Sequence, residues 1–231
     1  MGMEKPFSVA IDGPSGAGKS TIARASALRF GFIYVDTGAM YRTIGLAALR
    51  SGLGPHEQEG VRALLPGLRI DLRYGPSGEQ RMFLGDEDVS ALIRTQEVAM
   101  YASCVSSMPE VRAHLLEAQR SLARTHDVIM DGRDIATVVL PDADLKIFLT
   151  ASAEKRAERR WEELRARGSE EEFGQVLREI VERDRQDEER AAAPLKIAEG
   201  AVVVDTSELS LKESVERVCA LIEERLGGVR G

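Results

Sequence analysis

The segment with the most specific chemistry is VAIDGPSGAGKST, residues 9–21, where an apolar run leads into a glycine-rich loop. Its spacing G-x-x-x-x-G-K-S matches a phosphate-binding loop, and it lies between a predicted strand and a predicted helix, as its mechanism requires. Glycines let backbone N–H groups converge on an anion, while Lys19 can neutralise the outer phosphates and Ser20 can hold Mg²⁺. The pattern predicts that nucleotide phosphates bind at Gly13, Pro14, Ser15, Gly16, Ala17, Gly18, Lys19, Ser20 and Thr21.

A second polar segment, VDTGAMYR at residues 35–42, follows the second predicted strand. Asp36 and Thr37 can cap the helix that comes next, which is a purely structural explanation for both. Arg42 comes at the carboxyl end of the predicted sheet, where open α/β folds bind their ligands. We therefore predict that Arg42 contacts a phosphate.

A third segment, VIMDGRD at residues 128–134, ends another apolar run. Asp131 resembles the acidic strand end that helps to organise Mg²⁺ in nucleotide-hydrolysing proteins. Arg133 offers a bidentate fork for phosphate, and Asp134 offers a carboxylate that can accept a hydrogen bond from an amino group on a base. A structural salt bridge between such neighbours is an equally good explanation on spacing alone.

A highly charged stretch covers roughly residues 153–193, and pairing of Glu with Arg at a spacing of four would explain much of it as a solvated helical arm. Within it, Arg183, Asp187 and Arg190 are four and three residues apart and so share one helix face. Such a face could close over a phosphate, but a charge run of this kind more often faces solvent.

Strand-like apolar runs alternate with helical stretches, which is typical of an α/β fold with a parallel sheet between helices. Five strands are predicted at residues 7–11, 32–35, 127–130, 145–149 and 201–204. Two helices show a clear apolar face. One begins near Pro109 and the other is the last helix of the chain; their predicted buried positions are Val111, Leu115, Ala118, Leu122, Leu211, Val215, Val218, Cys219 and Ile222.

Residues 61–96 break this alternation. The segments LRIDLRY and EQRMFLG, separated by the turn signal GPSG, predict a small hairpin, with a third short strand near EDVS. The sequence therefore predicts a β-rich insertion in the α/β core.

The composition limits the kinds of partner. The 231 residues carry a net charge of −7, which argues against a nucleic-acid partner, because polyanion binding needs clustered Lys and Arg. No apolar run approaches the ~20 residues that span a bilayer, and the N-terminus lacks the features of a signal peptide, so no membrane partner and a cytoplasmic location are expected. Cys104 and Cys219 are expected to be reduced thiols, and the protein to be a monomer.

Five blocks occur in an order that resembles bacterial cytidylate kinases: IDGPSGAGKST, DTGAMYR, IRTQEV, DGRDIATVV with PDADLKIFL, and ERDRQDEERAAAPL. The resemblance covers essentially the whole chain. It implies transfer of the γ-phosphoryl group of ATP to CMP or dCMP, with Mg²⁺ required. It also implies a P-loop NTPase core at residues 1–60 and 97–231, a nucleoside monophosphate (NMP)-binding insertion at 61–96 and a helical lid at about 153–193.

The resemblance also implies roles for individual residues. Lys19, Arg133, Arg183 and Arg190 would be catalytic. The acceptor nucleotide would be contacted by Thr37, Tyr41, Arg42, Ser103, Arg112, Arg133, Asp134, Arg183, Asp187 and Arg190. Within that set, Tyr41, Arg42 and Arg133 would lie at the acceptor phosphate, and Arg183, Asp187 and Arg190 would lie at the sugar and the transferring phosphate. Ser103, Arg112 and Asp134 would surround the cytosine, and a carboxylate facing its amino edge would accept from cytosine and repel uracil.

Other functions are possible on the same phosphate loop. One alternative is a kinase for UMP, AMP or another small metabolite. A nucleotide-switch protein is less favoured, since guanine-specific switches carry an N-K-x-D motif and the chain contains no Asn. A nucleic-acid-dependent ATPase is disfavoured by the acidic charge balance.

Overall fold

The computed structural model describes residues 5–76, 78–166 and 168–230. Its strands are β1 (Ser8–Asp12), β2 (Ile33–Asp36), β3 (Ile70–Tyr74), β4 (Gln80–Leu84), β5 (Glu87–Asp88), β6 (Val128–Gly132), β7 (Leu145–Thr150) and β8 (Val202–Asp205). Its α-helices are α1 (Lys19–Phe30), α2 (Thr37–Arg50), α3 (Gln58–Leu64), α4 (Gln96–Ser106), α5 (Pro109–Thr125), α6 (Ala153–Ala166), α7 (Phe173–Glu189) and α8 (Leu211–Arg230). The chain divides into two compact units, Met1–Tyr34 with His126–Gly231 and Val35–Thr125.

The first unit is built on a five-stranded parallel sheet with the order β2-β6-β1-β7-β8. All five residues of β1 are buried, as expected for a central strand covered by helices on both faces. Side chains from the strands pack with α1 and α8 in a core that includes Val9, Ile11, Ile22, Ile129, Ile147, Leu149, Val218 and Ile222. The five predicted strands are confirmed, each within two residues of its predicted bounds.

The second unit contains a three-stranded antiparallel sheet, β3-β4-β5. The predicted hairpin and its third strand are confirmed, while Ser77 of the predicted turn lies outside the described residues. Helices α2 and α4 pack closely because Gly45 has no side chain, and a Cβ there would lie 2.9 Å from the backbone nitrogen of Ala102. The predicted insertion at residues 61–96 falls inside this unit, which is longer because helices on either side of the hairpin share its core.

Two helix faces differ in detail from their predictions. Helix α5 begins at Pro109 as predicted, but its buried row runs through Gln119, and Ala118 is exposed, because the row follows a spacing of four from Val111 and Leu115. Leu211 is more than half exposed because it is the first residue of α8.

The charged stretch forms α6 and α7, which are held together by an apolar cluster of Ala157, Val176 and Ile180 beside Trp161. Arg167, between the two helices, lies outside the described residues. The ion pairs on these helices include Arg185–Glu189 at the predicted spacing of four. Others have a spacing of three: Lys155–Glu158, Arg160–Glu163 and Glu182–Arg185.

Candidate active site

The glycine-rich loop between β1 and α1 has a backbone that only glycines accommodate well. Gly13, Gly16 and Gly18 all have positive φ angles, of 150°, 77° and 87°. A Cβ on Gly13 would also lie 1.9 Å from the carbonyl oxygen of Leu149. Because Gly18 caps α1 without a side chain, the first N–H groups of that helix are positioned for an anion.

Lys19 is the first residue of α1, and its side chain is buried against the loop. Its Nζ donates to the carbonyl oxygen of Pro14 at 2.7 Å. Burial, followed by the charge of Arg133, lowers the pKa of Lys19 well below its usual value, against the opposing charges of Asp131 and Asp187. The ammonium group is therefore held where negative charge would stabilise it.

Ser20 and Asp131 meet at the end of the loop. The Ser20 hydroxyl donates to Asp131 Oδ2 at 2.8 Å, and the Tyr34 hydroxyl donates to Asp131 Oδ1 at 2.9 Å. A hydroxyl and a carboxylate are the hard oxygen donors that suit Mg²⁺, which usually takes one or two protein ligands and completes its shell with phosphates and water. These residues fit the metal that the sequence predicts.

The segment after β6 is joined to α7 by charges. Arg133 Nε donates to Asp187 Oδ2 at 2.7 Å, and Arg190 lies 3.7 Å from Asp134 and 3.9 Å from Asp187. Burial raises the pKa of Asp187, but the charges of Arg133, Arg183 and Arg190 outweigh it and hold the pKa below its usual range. Arg133 and Asp134 each pair with a residue of this other segment.

The three charged residues predicted to share one face of α7 do not all lie in that helix. Arg183 and Asp187 lie within the helix, whereas Arg190 comes just after its last residue and has a non-helical backbone. Arg190 Nε donates to the carbonyl oxygen of Ala193 at 2.6 Å, and its side chain is only 7% exposed. Asp187 and Arg190 therefore face the ion-pair network. The alternative that this charged run faces solvent is wrong for these two residues.

The other predicted acceptor residues lie in the second unit. Asp36 caps α2 by accepting from the Ala39 N–H at 2.9 Å, and Thr37 is the buried first residue of that helix. Arg42, one turn further, donates to Asp36 Oδ2 at 2.7 Å. Asp36 is therefore the cap, and it also orients Arg42.

Tyr41, Ser103 and Arg112 come from α2, α4 and α5 of the same unit. The guanidinium carbon of Arg112 lies 5.5 Å from the ring centroid of Tyr41, within the range of a cation–π contact. Arg112 Nη1 also donates to the carbonyl oxygen of Ser106 at 3.0 Å, and the Ser106 hydroxyl donates to the carbonyl oxygen of Ser103. Arg112 is thus paired with Tyr41, and Ser106 connects Arg112 to Ser103 through hydrogen bonds that involve backbone carbonyl groups.

Residues 9–224 match the family described as cytidylate kinase. The chain belongs to the cytidylate kinase family. A cytidylate kinase of Caldicellulosiruptor bescii is 48% identical over 217 residues, which are 94% of this chain and 96% of that protein. Those of Anoxybacillus flavithermus and Streptococcus pneumoniae are 46% and 45% identical and cover 98% and 96% of this chain and 100% of their own lengths. The resemblance seen in the sequence is confirmed.

Asp12, just before the phosphate loop, is a charged residue that the sequence analysis did not identify. Asp12, the last residue of β1, is 1% exposed and accepts backbone N–H bonds from Ile135 and Ala136, both at 2.8 Å. It holds the single π-helical turn Ile135–Val139 that follows Asp134. An acid at the end of a buried strand was a visible signal, but its partners are more than 120 residues away.

Burial raises the pKa of Asp12 to about 6, in spite of its two backbone hydrogen bonds. The folded state therefore binds the proton more tightly than the unfolded state, so this group's contribution to stability is present at low pH and is lost as pH rises through about 6. A difference of about 2 in pKa corresponds to about 3 kcal/mol.

We expect the free energy of unfolding of wild type, relative to Asp12→Asn, to fall by about 3 kcal/mol between roughly pH 4 and pH 7. Urea unfolding of both proteins without nucleotide measures this difference, and the comparison cancels groups that titrate equally in the two. A difference that is constant across this range would show that Asp12 titrates normally.

Proposed function

We propose that this protein transfers the γ-phosphoryl group of ATP to CMP or dCMP, forming ADP and CDP or dCDP, and so serves pyrimidine nucleotide metabolism. Membership of the cytidylate kinase family over nearly the whole chain supports this reaction. The structural observation that carries it is the geometry of the loop: the buried Lys19 bonds to the Pro14 carbonyl oxygen at 2.7 Å, and Ser20 beside it bonds to Asp131 at 2.8 Å. A cation for the phosphates and oxygen ligands for the metal thus lie at the same loop of the first unit.

The donor nucleotide would be held by the loop from Gly13 to Thr21. Backbone N–H groups of the loop and of the first turn of α1 would bind the phosphates, and the Lys19 ammonium would neutralise the outer ones. Phosphate charge would also offset the burial that lowers the pKa of Lys19. Binding of ATP would therefore favour the charged form of the residue.

The metal would be held by the Ser20 hydroxyl, with Asp131 organising its surroundings through the hydrogen bond between them. When bound, Mg²⁺ would neutralise charge on the phosphates and orient them. Tyr34 holds the other oxygen of Asp131 and so fixes the direction of the carboxylate.

The acceptor nucleotide would be bound by arginines that pair with carboxylates in this structure. Arg42 and Arg133 would contact its phosphate, with Tyr41 and Thr37 beside them. Their partners, Asp36 and Asp187, keep both guanidinium groups oriented before the phosphate arrives. Pre-orientation of this kind lowers the cost of ordering the site.

The base and the sugar would be recognised separately. Asp134 would accept from the cytosine amino group, with Ser103 and Arg112 at other edges of the base. Asp187 would bind a sugar hydroxyl. These assignments explain why a carboxylate, rather than a neutral amide, stands at position 134.

Phosphoryl transfer would then depend on position and charge, because the protein need do little covalent chemistry. Arg133, Arg183 and Arg190 would stabilise the charge that develops on the transferring group. The segment from about 153 to 193 would act as a lid that excludes water as a competing acceptor. Residues 61–96 would be the NMP-binding region of the kinase.

Further proposals concern the assembly, location and partners of the protein. We propose a monomer in the cytoplasm without nucleic-acid or membrane partners, consistent with the acidic charge balance. In the parts of the chain that the structure describes, no helix is both long and apolar enough to cross a bilayer. The alternative kinases and the nucleotide switch are not favoured for a member of this family.

Labelled ATP tests the reaction directly. With ATP labelled at the γ position, CMP and Mg²⁺, the label should appear in CDP, and chelation of the metal should stop its appearance. A matched reaction without CMP shows how much label is released to water. Label found only in inorganic phosphate would contradict transfer to the nucleotide.

A further inference from the structure

A buried arginine that has no role in the reaction described so far lies beside the phosphate loop. Arg156, in the first turn of α6, is 4% exposed. Its Nη1 and Nη2 donate to the two carboxylate oxygens of Asp184 at 2.9 and 2.6 Å, and its Nε donates to the carbonyl oxygen of Ala151 at 2.8 Å. Its Nη1 also donates to the carbonyl oxygen of Ser15, within the loop, at 3.1 Å.

These contacts leave Arg156 little freedom to move. A buried guanidinium is tolerated only when it is paired and hydrogen-bonded, and the bidentate contact with Asp184 satisfies that requirement. Asp184 belongs to α7, the helix that also carries Arg183 and Asp187. The bidentate contact with Asp184 fixes the plane of the Arg156 guanidinium group. It therefore also fixes the direction in which Nη1 donates to the Ser15 carbonyl oxygen.

The contact with Ser15 determines the orientation of a peptide group in the loop. In a planar trans peptide the C=O and the following N–H point in opposite directions. Because the Ser15 carbonyl points to Arg156, the N–H of Gly16 is directed away from it. The loop also passes close to the arginine, since a Cβ on Gly16 would lie 3.2 Å from Arg156 Cβ.

We infer that Arg156 is a positioning residue for the donor loop: held by Asp184, it fixes the Ser15–Gly16 peptide so that the Gly16 N–H donates to a phosphate of ATP. This inference rests on the proposed function, since it takes ATP as the ligand of the loop. It assigns a specific task to an ion pair of the lid segment that does not touch the reacting atoms. It also predicts that the donor, and not the acceptor, depends on Arg156.

Three variants test this assignment. Arg156→Met removes the hydrogen bonds but keeps the length of the side chain, and Arg156→Lys keeps the charge without the planar fork. Arg29→Met is the matched control, because Arg29 also makes two charged hydrogen bonds, to Glu216 and Glu223, at the opposite end of α1 from the loop. For each protein we would measure the Kd of ATP without acceptor, the KM values of ATP and CMP, and the unfolding midpoint.

We expect Arg156→Met to raise the Kd and KM of ATP by about tenfold or more, and Arg156→Lys by a smaller factor, while the KM of CMP stays within about twofold of wild type. Arg29→Met should leave all three constants near wild type. If Arg156→Met does not fold, Arg156→Lys decides the question.

Two results would overturn the inference. One is an unchanged Kd of ATP in a folded Arg156 variant, and the other is an equal loss for ATP and CMP, which indicates a purely structural role. If wild type itself neither binds ATP nor responds to CMP, the proposed function is wrong instead, so the two failures are distinguishable.

Discussion

We expect replacement of Lys19 by alanine to lower kcat on the order of a thousandfold, because the variant would lack the charge proposed to stabilise the transferring phosphoryl group. Burial and the hydrogen bond to the Pro14 carbonyl oxygen position Lys19 for this role. Lys19 is the cationic side chain in the first turn of α1. Steady-state ADP formation with saturating ATP and CMP measures the effect. Turnover near the wild-type level would contradict the proposed use of the loop.

The unfolding temperature is the control that separates a loss of catalysis from a folding defect. Burial lowers the pKa of Lys19 below its usual value, so the unfolded state binds the proton more tightly and the lysine destabilises the nucleotide-free fold at neutral pH. Lys19→Met, which keeps the apolar stem, should therefore unfold at an equal or higher temperature than wild type and still be inactive. Lost activity together with a large drop in the unfolding midpoint would indicate a folding defect instead.

We expect replacement of Asp134 by alanine to lower kcat/KM for CMP by about a hundredfold and to change kcat/KM for UMP much less, so that the preference for cytosine is lost. The reason is that, in the proposed function, the Asp134 carboxylate would accept a hydrogen bond from an amino group that uracil lacks. In the structure Asp134 is buried, with the Arg190 guanidinium 3.7 Å away. The measurement is kcat/KM for both acceptors at one concentration of ATP.

Asp134→Asn is the matched variant, because an amide of the same shape can donate to the uracil carbonyl. It should narrow the ratio of kcat/KM for CMP to that for UMP further than alanine does. Arg190 keeps Asp187 as a second carboxylate neighbour in either variant, so we expect both to fold. An unchanged ratio in folded Asp134→Ala would remove Asp134 from base recognition.

Local patterns in the sequence were sufficient for much of the fold. The strands, the hairpin and the start of α5 follow from apolar runs, turn residues and a proline, all of which act over a few residues. The phosphate loop could be predicted for the same reason, since its glycines are required by a backbone within one segment.

Contacts between distant segments could not be predicted. Asp12 bonds to residues more than 120 positions away, and Arg156 joins Ser15 to Asp184 across three segments. Each looks in the sequence like an ordinary charged residue. The place of Arg190 beyond the end of α7 also depends on where the helix stops, and helix ends are weakly determined by periodicity.

In the proposed reaction, the phosphoryl group of ATP goes to a cytidine nucleotide. The most direct test is ADP formation from Mg²⁺-ATP by wild type with CMP, dCMP, UMP, AMP, GMP or no acceptor. We predict that CMP and dCMP stimulate ADP formation strongly over the reaction without acceptor and that the other monophosphates do not. Equal stimulation by UMP or AMP, or no stimulation by any monophosphate, would contradict the claim.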